Sequence, residues 1–237
     1  MSNPYFQFKQ FTVWHDKCAM KVGTDGVLLG AWASVRNAHK ILDVGTGTGL
    51  VALMLAQRSL PDADIVALEI DKAAAGQAGE NVARSPWKER IEVVQADFRN
   101  YQSSDKFDVI VSNPPYFVDS LECPDQQRNA ARHNDSLTYE ELLEGVAGLL
   151  AEDGAFTIVI PTDVADRVKM TATAKNFYAV RQLNVITKPG GIPKRTLITF
   201  TFSNQECVVE ELLTELARHQ YSEQCTTKPR NVTNPRE

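Results

Sequence analysis

From Lys40 onward, short apolar runs alternate with stretches whose apolar positions recur at helical spacing, which predicts strands and helices in turn. Lys40 to Val44 reads as a strand and Leu50 to Arg58 as a helix. Ile65 to Ile70 and Lys72 to Arg84 repeat the pair, and strands at Ile91 to Gln95 and Phe107 to Ser112 follow. Further on the pattern predicts a helix near Thr138 to Leu150, a strand at Ala155 to Ile160 and a helix near Asp163 to Asn176. Two strands then come in succession, near Val180 to Thr187 and Thr196 to Phe202. Alternating units closed by two consecutive strands imply an α/β fold: a mostly parallel sheet with an antiparallel C-terminal hairpin and helices on both faces.

Ahead of these units, Phe6, Phe8, Phe11 and Trp14 fall at roughly alternating spacing. They predict a strand or hairpin, followed by a helix near Asp25 for which Thr24 or Asp25 would serve as cap. Residues 1–36 are therefore read as an N-terminal strand and covering helix, 37–204 as the main domain, and 205–237 as a C-terminal helix with a polar, proline-broken, disordered tail. The stretch Phe117 to Leu137 reads as a long loop, a kind of segment that tends to carry function.

The strand ILDV runs into GTGTG, placing Gly45, Gly47 and Gly49 at alternate positions around Thr46, with a helix directly behind. Such a turn lets backbone amides approach a ligand that a Cβ would push away. The spacing is GxGxG and not the GxGxxG of dinucleotide sites, and Asp43 just before it would repel a pyrophosphate. A carboxylate there suits a ligand with positive charge, such as the amino group and sulfonium of S-adenosylmethionine. Glu69, beside Ile70 at the end of the second strand, is placed to accept ribose hydroxyls. Asp97 could take an adenine amino group, with Phe98 against the ring.

The fourth strand ends in Asn113-Pro114-Pro115-Tyr116. Paired prolines fix φ and remove amide donors, leaving carbonyls to accept from elsewhere. The Asn113 side chain and the Pro114 carbonyl can hold the two N–H groups of a planar amine, with Tyr116 or Phe117 stacked on the base that carries it. In-line methyl transfer from a sulfonium needs alignment and electrostatic stabilisation, not a strong base. The sequence offers no Ser/His/Asp or Cys/His constellation. In the KVGTDG run that Lys21 opens, Thr24 and Asp25 either close over the methionine end of the cofactor or only cap a helix. Arg132 and His133 are candidates for substrate phosphate. Lys188, Lys194 and Arg195 lie in KPGGIPKR between the last two strands, a segment suited to contacting RNA or simply to a solvated hairpin loop.

Composition changes this picture little. With 237 residues, 43% hydrophobic and 23% charged, the chain fits one α/β domain and neither a fibrous nor a disordered class. The net charge of −5 gives no support to a nucleic-acid partner. Its distribution does, because Pro161 to Phe200 holds seven basic and two acidic residues, a local +5. Cys18, Cys123, Cys207 and Cys225 are scattered without metal-ligand spacing, so neither zinc nor a disulfide framework is expected. Reduced thiols and the lack of a leader or apolar span predict a cytoplasmic chain, and a monomer is expected.

The residues together resemble the bacterial tRNA1(Val) (adenine(37)-N6)-methyltransferase family. The resemblance runs from FKQFTVWHDKCAMKVGTDGVLLGAW through ILDVGTGTGLVALMLAQR, ALEID, SPWKERIEV, QADF and SNPPYF to the PKR-containing hairpin, about nine-tenths of the chain. The glycine turn and NPPY are shared by many amino-methyltransferases, whereas HDKCAMKVGTDGVLLGAW is more particular to this group. The resemblance implies the Rossmann-like class I methyltransferase fold with a seven-stranded sheet, S-adenosylmethionine as donor, and an adenine beside the anticodon of a valine tRNA as acceptor, a base that must leave its stack to be reached. One departure is the ending: Tyr221-Ser222-Glu223 continues as QCTTKPRNVTNPRE, where the family has an aromatic, apolar finish. Two other activities share the NPPY chemistry, methylation of a ribosomal RNA guanine at N2 and methylation of a glutamine amide in protein release factors.

Overall fold

The structure is a computed structural model and describes residues 3–18, 21–115, 137–217 and 220–221. A hairpin of β1 (Tyr5–Gln7) and β2 (Thr12–Trp14) precedes α1 (Thr24–Trp32). Then come β3 (Lys40–Val44), α2 (Leu50–Arg58), β4 (Asp64–Glu69), α3 (Lys72–Ala83), β5 (Ile91–Gln95) and β6 (Phe107–Ser112). The second half holds α4 (Tyr139–Leu149), β7 (Leu150–Pro161), α5 (Ala165–Thr173), β8 (Tyr178–Ile186), β9 (Arg195–Thr201) and β10 (Val208–Leu213). A small antiparallel pair, β11 (Glu215–Ala217) and β12 (Gln220–Tyr221), ends the described chain.

Eight strands form one sheet in the order β10-β8-β9-β7-β6-β3-β4-β5. The chain steps outward from β3 through β4 to β5, then returns to the opposite side of β3 with β6, so the direction of winding reverses between β3 and β6. A crevice opens at such a reversal, beyond the carboxyl ends of the two strands. β9 runs antiparallel to both β7 and β8, which is the expected hairpin. Apolar side chains alternate between two cores. Ile41, Val109 and Val111 pack with α1 and α2 on one face; Leu42, Ile110 and Phe156 pack with α4 and α5 on the other. Thr138 closes α4 with a full capping box to Glu141.

The expected helix after position 205 is replaced by β10, an eighth strand lying parallel to β8 from Val208↔Arg181 to Leu213↔Ile186. The apolar spacing of VVEELLTEL suits a helix, but the outer edge of β8 carries backbone groups that a strand satisfies and a helix would not. Docking also buries Leu212 and pairs Glu210 with Arg181 at 3.1 Å. β7 likewise starts five residues earlier than the pattern predicts, with Leu150 opposite Phe107 and an irregular register before Val109. α1 is capped by neither Thr24 nor Asp25: its N-cap is Gly23, in extended backbone and without a side-chain cap bond. Among the described residues no helix is long and apolar enough to cross a membrane.

Candidate active site

The crevice between β3 and β6 holds a cleft of about 310 Å³. Its floor is the glycine turn. Gly45 and Gly47 sit at φ +74° and +57°, and a Cβ on either would meet no protein atom within 4 Å. The space beside these two backbones belongs to the cleft, which both residues line. Gly49 serves differently: it caps α2 at φ +80°, a conformation that favours glycine, and a Cβ there would lie in contact with Ala78 of α3 at 3.4 Å. The Gly45 and Thr46 amides both donate to the Leu68 carbonyl at 2.9 Å, tying the turn to β4.

Glu69 reaches the cleft at the end of β4. Its Oε2 accepts from the Gly47 amide at 2.8 Å and its Oε1 from the Asp71 amide at 3.0 Å. Each oxygen keeps a further lone pair for a hydroxyl donor. Asp71 caps α3 by accepting from the Ala74 amide at 2.8 Å. Ile70, 53% exposed, lines the cleft together with Ala74, Ala96 and the largely buried Phe98. Asp97 lines the cleft beside them. It is held by Arg99, whose Nη2 donates to Oδ2 at 2.7 Å and whose amide donates to Oδ1 at 3.0 Å, and these bonds keep its carboxyl below the usual range.

Asp43 behaves otherwise than the charge argument expects. It is 1% exposed and lies beneath the turn, not among the cleft-lining residues. Its Oδ2 accepts from Thr46 Oγ1 at 2.6 Å and from the Ala52 amide at 3.1 Å, so it braces the turn against α2. Burial pushes its carboxyl up to about 7 against the pull of those two donors.

β6 delivers Ser112, Asn113, Pro114 and Pro115 to the same cleft, and Ser112 Oγ donates to the Val44 carbonyl at 2.9 Å, locking β6 to β3. α1 packs closely here, since a Cβ on Gly26 would lie 3.8 Å from Asn113 Nδ2 and 3.1 Å from Leu50 Cδ2. The structure thus brings Gly45, Gly47, Glu69, Ile70, Asp97, Phe98, Asn113 and Pro114 together. Lys21, Thr24, Asp43, Thr46 and Gly49 do not line the cleft. Tyr116, Phe117, Arg132 and His133 lie outside the described residues. Lys188 and Lys194 are exposed on the β8–β9 loop, but Arg195 turns inward, its Nε donating to Asp25 Oδ2 of α1 at 2.9 Å.

Three residues that the sequence pattern passed over also build the site. Cys18 lines the cleft, its thiol raised to about 11 by burial and then by Glu69, Asp71 and Asp16. Asn81 of α3 donates to the Thr48 carbonyl at 2.8 Å and the Trp14 carbonyl at 2.9 Å, joining the glycine turn to β2. Gln77, one turn earlier, accepts from the Lys17 amide at 2.9 Å and holds the segment carrying Cys18. Two buried amides at i and i+4 on an otherwise apolar helix face were the available signal.

Comparison with known proteins bears on this geometry. The family profile described as the methyltransferase small domain matches residues 22–187. The tRNA1(Val) (adenine(37)-N6)-methyltransferase of Bacteroides thetaiotaomicron is 81% identical over 224 residues, covering 94% of each chain. That of Yersinia enterocolitica is 44% identical, over 87% of this chain and 83% of that one. The chain belongs to the tRNA1(Val) (adenine(37)-N6)-methyltransferase family. Its fold is also that of a predicted O-methyltransferase from Agrobacterium tumefaciens, with TM-score 0.65, 19% identity and coverage of 89% of this chain and 97% of that one. The M. jannaschii tRNA m1G37 methyltransferase matches with TM-score 0.60 and 12% identity, over 85% of this chain and 55% of the other. Relative to the seven-stranded sheet that the family resemblance implied, this tRNA1(Val) (adenine(37)-N6)-methyltransferase family member carries β10 as an additional edge.

Proposed function

We propose that this chain transfers a methyl group from S-adenosylmethionine to the exocyclic N6 amine of an adenine in tRNA, the adenosine at position 37 of a valine tRNA. The observation that carries the chemistry is that Asn113 and Pro114 open into the same cleft as Gly45, Gly47 and Glu69. A donor pocket and an amine clamp therefore share one wall. The names of its relatives favour tRNA adenine over ribosomal RNA guanine or a release-factor glutamine.

The cleft suits the donor on its own features: room beside two glycine backbones, a carboxylate with spare lone pairs, and apolar lining from Ile70, Ala96 and Phe98. Glu69 would accept the ribose hydroxyls, and Asp97 the adenine amino group. When bound, S-adenosylmethionine supplies an electrophilic methyl group with a neutral thioether to depart. Asn113 Oδ1 and the Pro114 carbonyl accept the two N–H groups of the substrate amine and aim its lone pair into the cleft. As nitrogen acquires positive charge, these oxygens strengthen their hold, about 1.5–3 kcal/mol for each hydrogen bond to a charged group. The surplus proton then leaves the methylated nitrogen for solvent, with no general base required. Lys188 and Lys194 would lie against the tRNA backbone.

The test is Asn113→Ala, assayed for transfer to tRNA transcripts and for donor binding by calorimetry. Transfer should fall by about a thousandfold or more while donor affinity stays within roughly threefold. Unchanged turnover would remove Asn113 from the reaction. Labelled donor offered to bulk tRNA, ribosomal RNA and release factor should mark tRNA, and label in either of the others would overturn the substrate.

A further inference from the structure

The β8–β9 loop places one large apolar side chain in water. Ile192 is 78% exposed, and its neighbours Lys188 and Lys194 are exposed as well. A single exposed isoleucine means little by itself, but this one sits on a loop that is held in shape. The Gly191 amide donates to the Lys188 carbonyl at 3.0 Å, with Pro189 and then Gly190 at φ +72° between them, the signature of a type II turn. Pro193 follows Ile192, and the Lys194 amide donates to the Val185 carbonyl at 3.1 Å. The Thr162 amide donates to the Lys194 carbonyl at 3.2 Å, and Arg195 is anchored on Asp25.

The loop also faces the correct edge. β8 and β7 both run parallel to β6, so the loop after Ile186 leaves the sheet at the carboxyl edge that carries Asn113. Ser112 is level with Ile158, and Pro161, three residues on, is level with Arg195 two strands away. Those steps put the base of the loop on the order of 10–15 Å from the end of β6. That is the reach of the nucleotides flanking a base held at Asn113.

We propose that Ile192 is a wedge that enters the base stack next to the target adenine and fills the space vacated when that adenine swings into the cleft. This rests on the RNA-methylation reading above. A buried aliphatic side chain replaces the lost stacking surface, and the two lysines meet the phosphates on either side. Because the turn is already hydrogen-bonded, little chain entropy is lost when the tip inserts. Ile192 is a positioning residue and takes no part in the chemistry.

The test uses the full chain and an anticodon stem-loop, with 2-aminopurine in place of the target adenine to report unstacking. Wild-type protein should raise the fluorescence severalfold. Ile192→Ser should bind the stem-loop within roughly threefold but lose that rise, and methylate the natural stem-loop about tenfold more slowly. Ile192→Met should restore both, and on an unstacked pentanucleotide the serine variant should match wild type within about twofold. A serine variant with full fluorescence rise and wild-type turnover on the stem-loop would overturn the wedge while leaving the methylation reading intact. A wild-type protein that labels no tRNA would overturn both.

Discussion

Asp43→Asn isolates the electrostatic cost of the glycine turn. In the folded protein the Asp43 carboxyl is raised from an ordinary 3.8 to about 7, chiefly by burial. Between those values the native state holds a proton that the unfolded chain has released, so the native state binds more protons and stability falls as pH rises. The loss begins near the unfolded value and is complete above the folded one. At about 1.4 kcal/mol per unit, the whole effect is on the order of 4 kcal/mol, of which about 3 falls between roughly pH 4.5 and 7.5. Asparagine keeps the shape and can accept from Thr46 and Ala52, but it does not titrate. Urea unfolding of both proteins across this range should show wild type losing stability relative to Asp43→Asn by a few kcal/mol as pH increases. A constant difference across the range would mean that the carboxylate is ionised without penalty in the folded state, and the account of Asp43 as a buried brace would be wrong.

Arg58 of α2 donates from Nη1 to the carbonyls of Gly30 at 2.6 Å and Ala33 at 2.8 Å, holding the end of α1; Arg58→Met should lower stability by about 2–4 kcal/mol in denaturant titration, and an unaltered midpoint would contradict that role. Gly47→Ala meets no protein atom but must adopt φ +57°, so it should cost about 1–2 kcal/mol of stability. Its methyl group would occupy the cleft and weaken donor binding by a hundredfold or so, measured by calorimetry, and intact binding would place the donor elsewhere. Reversal of Lys188 and Lys194 to Glu should weaken tRNA binding with a shallower salt dependence than wild type. Equal affinity in low salt would free the loop of contact with phosphate. Arg195 is left out of that pair because it is committed to Asp25.

The amino-acid sequence alone determined the elements around β3 and β6. Lys40–Val44, Leu50–Arg58, Ile91–Gln95 and Phe107–Ser112 have the bounds that their periodicity predicts, because each is set by local pattern, reinforced by Gly45 after the first, Gly49 before the second and Asn113-Pro114 after the last. The turn at Gly45 to Gly49 and the prolines after Asn113 were legible for the same reason: they impose backbone geometry within a few residues. What needed the tertiary structure depends on atoms far apart in the chain. VVEELL is a strand only because β8 offers it an open edge. Asp25 could be read as a cap or a cofactor contact until Arg195, 170 residues away, was placed against it. Asp43 could be read as facing a ligand until Thr46 and Ala52 enclosed it. Local patterns fix which backbone shapes are affordable, whereas the direction a charge faces is settled by desolvation and by whichever distant donors the packed chain brings within hydrogen-bonding reach.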